Sequence, residues 1–174
     1  VAQTRSFASM YVAATGFAAR MADKDRLLDR MSSLPETGER LIRNFEVNAR
    51  QIGEDLDFDR FYFLGSGIQY GLACEVNLKM KEMTLSHSEP FHFMEFRHGP
   101  KSMVTTSTLI IGLLSEKNQK YESAVLADMK MIGGHILEIG EYGSDVAFES
   151  GLDEQLRNIL YLPVGQLVAF ERSL

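Results

Sequence analysis

Cys74 is the only cysteine in 174 residues, so no disulfide can close within the chain. That usage suits a reducing cytoplasm, the expected location. No apolar run reaches membrane-spanning length and no secretory signal is visible, so no membrane partner is expected. Positive charge is also scarce. The net charge is -6, which leaves no basic footprint for nucleic acid or for an anionic lipid surface. An anionic ligand would therefore need local donors, such as the N-terminus of a helix. Internal repeats of solenoid period and low-complexity tracts are missing as well. What is present is ordinary for a soluble globular protein: 45% apolar and 24% charged residues, in a chain long enough to bury a sizeable core.

Read in order, Thr4 or Ser6 is placed to cap a helix whose apolar positions are Phe7, Met10, Tyr11, Ala14, Phe17, Ala18 and Met21. No strand precedes it, and the chain opens on Val1 rather than methionine. The expectation is the tail of a unit whose beginning lies elsewhere. Ala22 to Arg26 is a polar boundary. Pro35 opens a second helix that buries Leu41, Ile42, Phe45, Ala49 and Ile52. From Phe61 the pattern alternates. Phe61–Leu64 predicts a strand ending in Gly65-Ser66-Gly67 and followed by a helix. Thr108–Leu114 predicts a strand, Tyr121–Met131 a helix stopped by Gly133-Gly134, and His135–Ile139 another strand. Asn158–Leu162 reads as a short further strand and Gly165–Ser173 as a closing helix. Such alternation predicts an α/β fold, a parallel sheet covered by helices on both faces.

Most of the ionisable groups suited to chemistry fall between Tyr70 and Ser102. On a helical wheel Leu72, Ala73, Val76, Met80 and Met83 form a core stripe, and Glu75, Lys79 and Glu82 form a narrow second stripe along its edge. Two readings of that edge stand. Glu82 is a partly desolvated carboxylate tuned by Lys79 for proton transfer, or the three are a helix-surface ion pair with a solvated end. Gly65-Ser66-Gly67 joins a strand to a helix, either as an anion-facing turn or as a plain tight turn. It lacks the third glycine of a dinucleotide fingerprint, where Tyr70 stands, and the Lys-Ser/Thr of a P-loop. Glu89, His92, Glu95 and His98 recur every three residues but match no established ligand spacing, so no metal is expected. Cys74 reads as a small packed side chain. Arg97-His98-Gly99-Pro100-Lys101-Ser102 combines two cations, an imidazole and a Gly-Pro turn, the composition of an anion-facing loop with a proton carrier in it.

Phe63-Leu64-Gly65-Ser66-Gly67, Gly71-Leu72-Ala73, Glu75, Leu78-Lys79, Lys81-Glu82 and His98-Gly99-Pro100 together resemble the second sugar isomerase (SIS) domain of two-domain phosphosugar enzymes. These include the isomerase half of glutamine:fructose-6-phosphate amidotransferase (glucosamine-6-phosphate synthase) and the ketose-isomerase/aminosugar-phosphate deaminase group. The Glu82 to His98 separation agrees without a gap. The resemblance implies a three-layer, flavodoxin-like fold. It also implies that residues 1–22 close a first SIS domain, that 23–35 link, and that 36–174 form the second. By position, Glu82 matches the carboxylate that moves a proton between C1 and C2 of the open-chain sugar, and His98 the ring-opening histidine, which reaches the site from a partner subunit. Val1, Gln3, Thr4, Gly65, Ser66, Gly67, Lys79 and Arg97 fall at or beside substrate-binding positions. Gln3 replaces a serine usual in the synthase. The implied activity is aldose-ketose isomerisation or aminosugar-phosphate deamination on a hexose or amino-hexose phosphate, in a homodimer or larger assembly, without cofactor. A non-catalytic sugar-phosphate-binding module and the isomerase part of an aminotransferase are the alternatives. By the resemblance, the family's Ser/Thr-rich phosphate loop belongs to the first domain, and the corresponding strand of the second ends here at Ser115-Glu116-Lys117, where Glu116 would repel phosphate; no counterpart of the synthase's C-terminal lysine segment or glutaminase domain is expected in these residues.

Overall fold

The computed structural model describes residues 3–174, and Val1, expected at the sugar site, lies outside them. Five parallel strands, β1 Arg60–Gly65, β2 His87–His92, β3 Thr108–Leu113, β4 His135–Gly140 and β5 Val146–Ala147, form one sheet in the order β2-β1-β3-β4-β5. Register aligns Gly65 with His92 on one side and with Leu113 on the other, so the first three strands end together. Successive side chains of a strand face opposite ways. Phe61 and Phe63 accordingly join one core with Leu72, Val76 and Met80 of helix α4 (Ile68–Thr84). Helices α3 (Leu34–Glu54) and α8 (Tyr161–Arg172) contribute Leu41, Phe45, Val164 and Val168 to the same core. Tyr62 and Leu64 point into the other core, with Phe93 and Phe96 of α5 (Phe93–Arg97) and Val125, Leu126 and Met129 of α6 (Gln119–Met131). Helices thus cover both faces, the expected three-layer arrangement.

The chain runs from β1 out to the edge strand β2 and then back across to β3. The point where strand order reverses lies between the carboxyl ends of β1 and β3. Short elements complete the fold: α1 Ser6–Met21, α2 Asp25–Met31 within the expected linker, a 3-10 turn at Pro100–Met103, and α7 Glu154–Arg157. Among the described residues no helix is long and apolar enough to cross a membrane.

Three expectations need correction. Asn158–Leu162 is a 3-10 turn leading into α8, not a strand. A four-residue apolar run does not distinguish a buried strand from a buried helical turn, and here the helix wins because Ile159, Leu160, Tyr161 and Leu162 all find burial at its start. β2 was not among the expected strands; it holds Pro90, which lacks a ladder donor, and an edge strand has a side on which no donor is needed. α1 packs through Phe7, Ala8, Tyr11 and Val12. Met10, Phe17 and Met21 of the expected stripe are 63%, 69% and 71% exposed. The helix is apolar on more than one side, so periodicity locates it without choosing its inner face. Its N-cap is Arg5, without a side-chain cap; Ser6 donates to the Gln3 Oε1 instead.

Candidate functional site

Helix α4 starts at Gly67, whose φ of 57° suits glycine, and stops at Leu85 in a left-handed conformation. Along it the spacing of Glu75, Lys79 and Glu82 brings the three heads together. Lys79 Nζ donates to Glu82 Oε2 at 2.8 Å and lies 3.5 Å from Glu75 Oε1. The lysine side chain is 6% exposed and that of Glu75 11%, whereas that of Glu82 keeps 39%. The stripe therefore sits at the edge of the core with one carboxylate opening outward. Burial pulls the Lys79 ammonium down, but its hydrogen bond to Glu82 and the charges of Glu75 and Glu82 outweigh it and hold it above its ordinary value. With Lys79 bound to Glu82 Oε2, the other carboxylate oxygen is left free on the outward side for a bound group.

The N-terminal segment approaches the same helix. Gln166 of α8 donates to the Thr4 carbonyl at 3.1 Å, and its neighbour Gly165 lies directly on Val76 of α4. Gln3 and Thr4 are exposed, and Thr4 meets α8 at Gln166.

The Gly65-Ser66-Gly67 turn lies elsewhere, at the strand-order reversal. Gly65 is required there because any Cβ would overlap the backbone of Gln69. Glu82 is fourteen positions along α4 from Ile68, about 21 Å of helix axis away. At the reversal point, three residues that could donate to an anion are engaged by carboxylates. Ser115 N–H and Oγ–H donate to the Glu122 carboxylate at 2.6 and 2.9 Å. Glu116 N–H and Gln69 Nε2 donate to Glu154 Oε1 at 2.8 and 3.0 Å. Burial raises the Glu122 carboxyl, while hydrogen bonds from Ser66 and Ser115 draw it back. This network of Gln69, Glu122, Glu154, Arg157 and Asn158 was not found from sequence. Its one signal was polar residues interrupting apolar runs, as Arg157 and Asn158 do between Leu156 and Ile159.

Arg97 and His98 end α5 on the opposite face of the sheet from α4. Arg97 pairs with Asp128 of α6 at 2.9 Å, and His98 is exposed beside a cavity of about 560 Å³ that Lys101, Ser102 and Met131 also line. Glu82 and His98 therefore occupy different layers, with the sheet between them, and one copy of the chain does not bring them together. Nor do Glu89, His92, Glu95 and His98 converge. His92 stacks on Tyr70 with ring centroids 3.8 Å apart, and among the described residues no three His, Cys, Asp or Glu side chains gather as metal ligands would. Cys74 is a partly buried free thiol.

The SIS domain profile matches residues 57–159, more than half of the chain and the whole stretch from β1 into the 3-10 turn before α8. The chain belongs to the SIS domain family. Among curated proteins it is similar to a glutamine–fructose-6-phosphate aminotransferase [isomerizing] of Clostridium perfringens, 29% identical over 171 residues, which are 91% of this chain and 27% of that protein. The namesake protein of Caldanaerobacter subterraneus is 25% identical over 169 residues, 93% of this chain and 27% of the relative. This SIS chain thus spans about a quarter of the length of these relatives. Among solved structures it resembles glucosamine-6-phosphate deaminase from Thermotoga maritima, with a TM-score of 0.80 at 24% identity over 99% of this chain and 52% of that one. It also resembles tagatose-6-phosphate ketose/aldose isomerase from Escherichia coli, with a TM-score of 0.67 at 21% identity over 79% of this chain and 41% of that one. At those identities the two structures speak for the SIS fold alone.

Proposed function

We propose that this SIS domain serves a phosphosugar enzyme that moves a carbonyl between C2 and C1 of a hexose or amino-hexose phosphate, by isomerisation or with release of ammonia. The observation that carries the reading is the α4 triad, in which Glu82 keeps one side open while Lys79 is locked between it and Glu75. Carbonyl migration between adjacent carbons requires one base that takes a proton from one carbon and returns it to the next through an enediol or enolamine. Glu82 is that base, and Lys79 steadies its charge. Gln3 and Thr4 contact the sugar from the α8 side, and no metal or organic cofactor is needed for the proton transfer. His98 opens the sugar ring. Because the sheet separates it from Glu82, it acts on the site of a second copy, and the working form is at least a dimer. Gly65, Ser66 and Gly67, about 21 Å of helix axis from Glu82, stand apart from that base, and Arg97 stands beside His98. The isomerase part of a glutamine-dependent aminotransferase is the neighbouring reading, supported by the names of the aminotransferase relatives.

The test is NMR of fructose-6-phosphate, glucosamine-6-phosphate and tagatose-6-phosphate in D2O with the full-length protein and its Glu82→Gln variant. Deuterium entering C1 or C2, or ammonia released, with loss of both in the variant, is the expected result. Saturable binding without exchange in either protein would leave a binding module in place of an enzyme.

A further inference from the structure

Glu82 stands in the last turn of α4, where a helix is least held by its own hydrogen bonds. If the helix continued, the Ser86 N–H would bond the Glu82 carbonyl; it turns instead to Thr84 Oγ1 at 3.1 Å. The turn closes at Leu85, whose φ of 58° is a value that favours glycine. Leu85 is 91% exposed, so packing of its own side chain does not hold that conformation. A non-glycine residue persists there when its surroundings fix it.

Those surroundings are a chain of polar contacts that ends on another helix. Thr84 Oγ1 donates to the Met80 carbonyl at 2.7 Å and lies 2.8 Å from Ser86 Oγ. Ser86 Oγ in turn accepts from Arg172 Nε at 3.0 Å. The remaining guanidinium nitrogens donate to the carbonyls of Asp55 and Phe58, just ahead of β1, at 2.8 and 2.6 Å. Arg172 is thus anchored at the end of α8 and before β1, and it gives its third nitrogen to the end of α4. The Glu82 carboxylate itself is held by Lys79 alone among the described residues. A base that serves two neighbouring carbons has to be held to within about 0.5 Å, which one ion pair on a loose final turn does not secure. We propose that Arg172 is a positioning residue for Glu82, acting through Ser86 and Thr84 to fix the last turn of α4, so that the free carboxylate oxygen keeps one place. The proposal rests on Glu82 as the base of the reaction proposed above.

Ser86→Ala cuts the link and leaves the Asp55 and Phe58 contacts of Arg172 in place, whereas Ser86→Thr keeps the hydroxyl. The experiment follows deuterium exchange into fructose-6-phosphate, glucosamine-6-phosphate and tagatose-6-phosphate. It uses the full-length protein, both Ser86 variants, Glu82→Gln, and Ser86→Ala combined with Glu82→Gln, each shown to fold by a thermal melt. In Ser86→Ala, kcat is expected to fall about tenfold with KM unchanged. Ser86→Thr should recover it, and the double variant should be no slower than Glu82→Gln. A wild-type kcat in Ser86→Ala, beside a slowed Glu82→Gln, overturns the positioning role alone. So does a loss that Ser86→Thr does not restore, that appears only in KM, or that recurs in full on the Glu82→Gln background, since the contact then merely supports the fold. Exchange at the wild-type rate in Glu82→Gln, or none in the wild type, removes the base and the proposal with it.

Discussion

Lys79 links the fold to the proposed chemistry. It is buried, and it survives as an ammonium because Glu75 and Glu82 surround it. Removing one partner of a buried ion pair leaves charge uncompensated. Lys79→Met is therefore expected to lower stability by about 3 kcal/mol at neutral pH, measured by urea denaturation. The pH dependence has a definite sign. The folded value lies above the ordinary 10.5, so the contribution of the pair is complete below that ordinary value and fades as pH rises through the higher folded value. The deficit of the variant relative to wild type should then shrink in strongly alkaline solution. A deficit that stays constant across that range would show that packing, not charge, accounts for it. Glu82 is different, being 39% exposed and contacted on one oxygen. Glu82→Gln should leave the melting temperature within a few degrees of wild type while lowering kcat by about 10³-fold, the scale of general-base loss.

Between elements, the closest approach is that of α4 and α8. A Cβ on Gly165 would overlap the Val76 side chain, so the helices touch where neither can add a carbon. Gly165→Ala is expected to destabilise by about 2 kcal/mol through overpacking, and Val76→Ala in the same chain should recover part of that loss, as a double-mutant cycle would reveal. Equal losses with and without Val76 would place the strain elsewhere. α8 is also fastened at its other end, where Arg172 donates to the carbonyls of Asp55 and Phe58 at 2.8 and 2.6 Å and lies over the Phe61 ring. These contacts join residues more than a hundred positions apart, which explains why the start of α8 was misread as a strand. The run Asn158–Leu162 carries apolar content but no local sign of the surfaces that will cover it. β2 was also missed. It holds Pro90, which its edge position tolerates.

At the scale of the whole molecule, the separation of Glu82 from His98 by the sheet makes the proposed site a property of an assembly. Mixing tests this directly. Glu82→Gln and His98→Ala proteins should each be nearly inactive alone. Subunit exchange between them should restore about a quarter of wild-type activity in a two-fold dimer, because half the dimers are mixed and each mixed dimer has one intact pair. No recovery after verified exchange would place His98 and Glu82 in one copy or remove His98 from the chemistry. Local sequence determined much of this protein by itself. Apolar runs of strand length located β1, β3 and β4, glycines marked the turns, and the 3.6-residue period placed Glu75, Lys79 and Glu82 on one edge of α4, since helical spacing alone decides which side chains meet. Tertiary structure decided the rest. The order of the strands, the inner face of α1, the carboxylates closing the strand-reversal point and the layer in which His98 lies all depend on contacts between residues distant in the chain, and no local pattern encodes which distant surface will bury a given side chain.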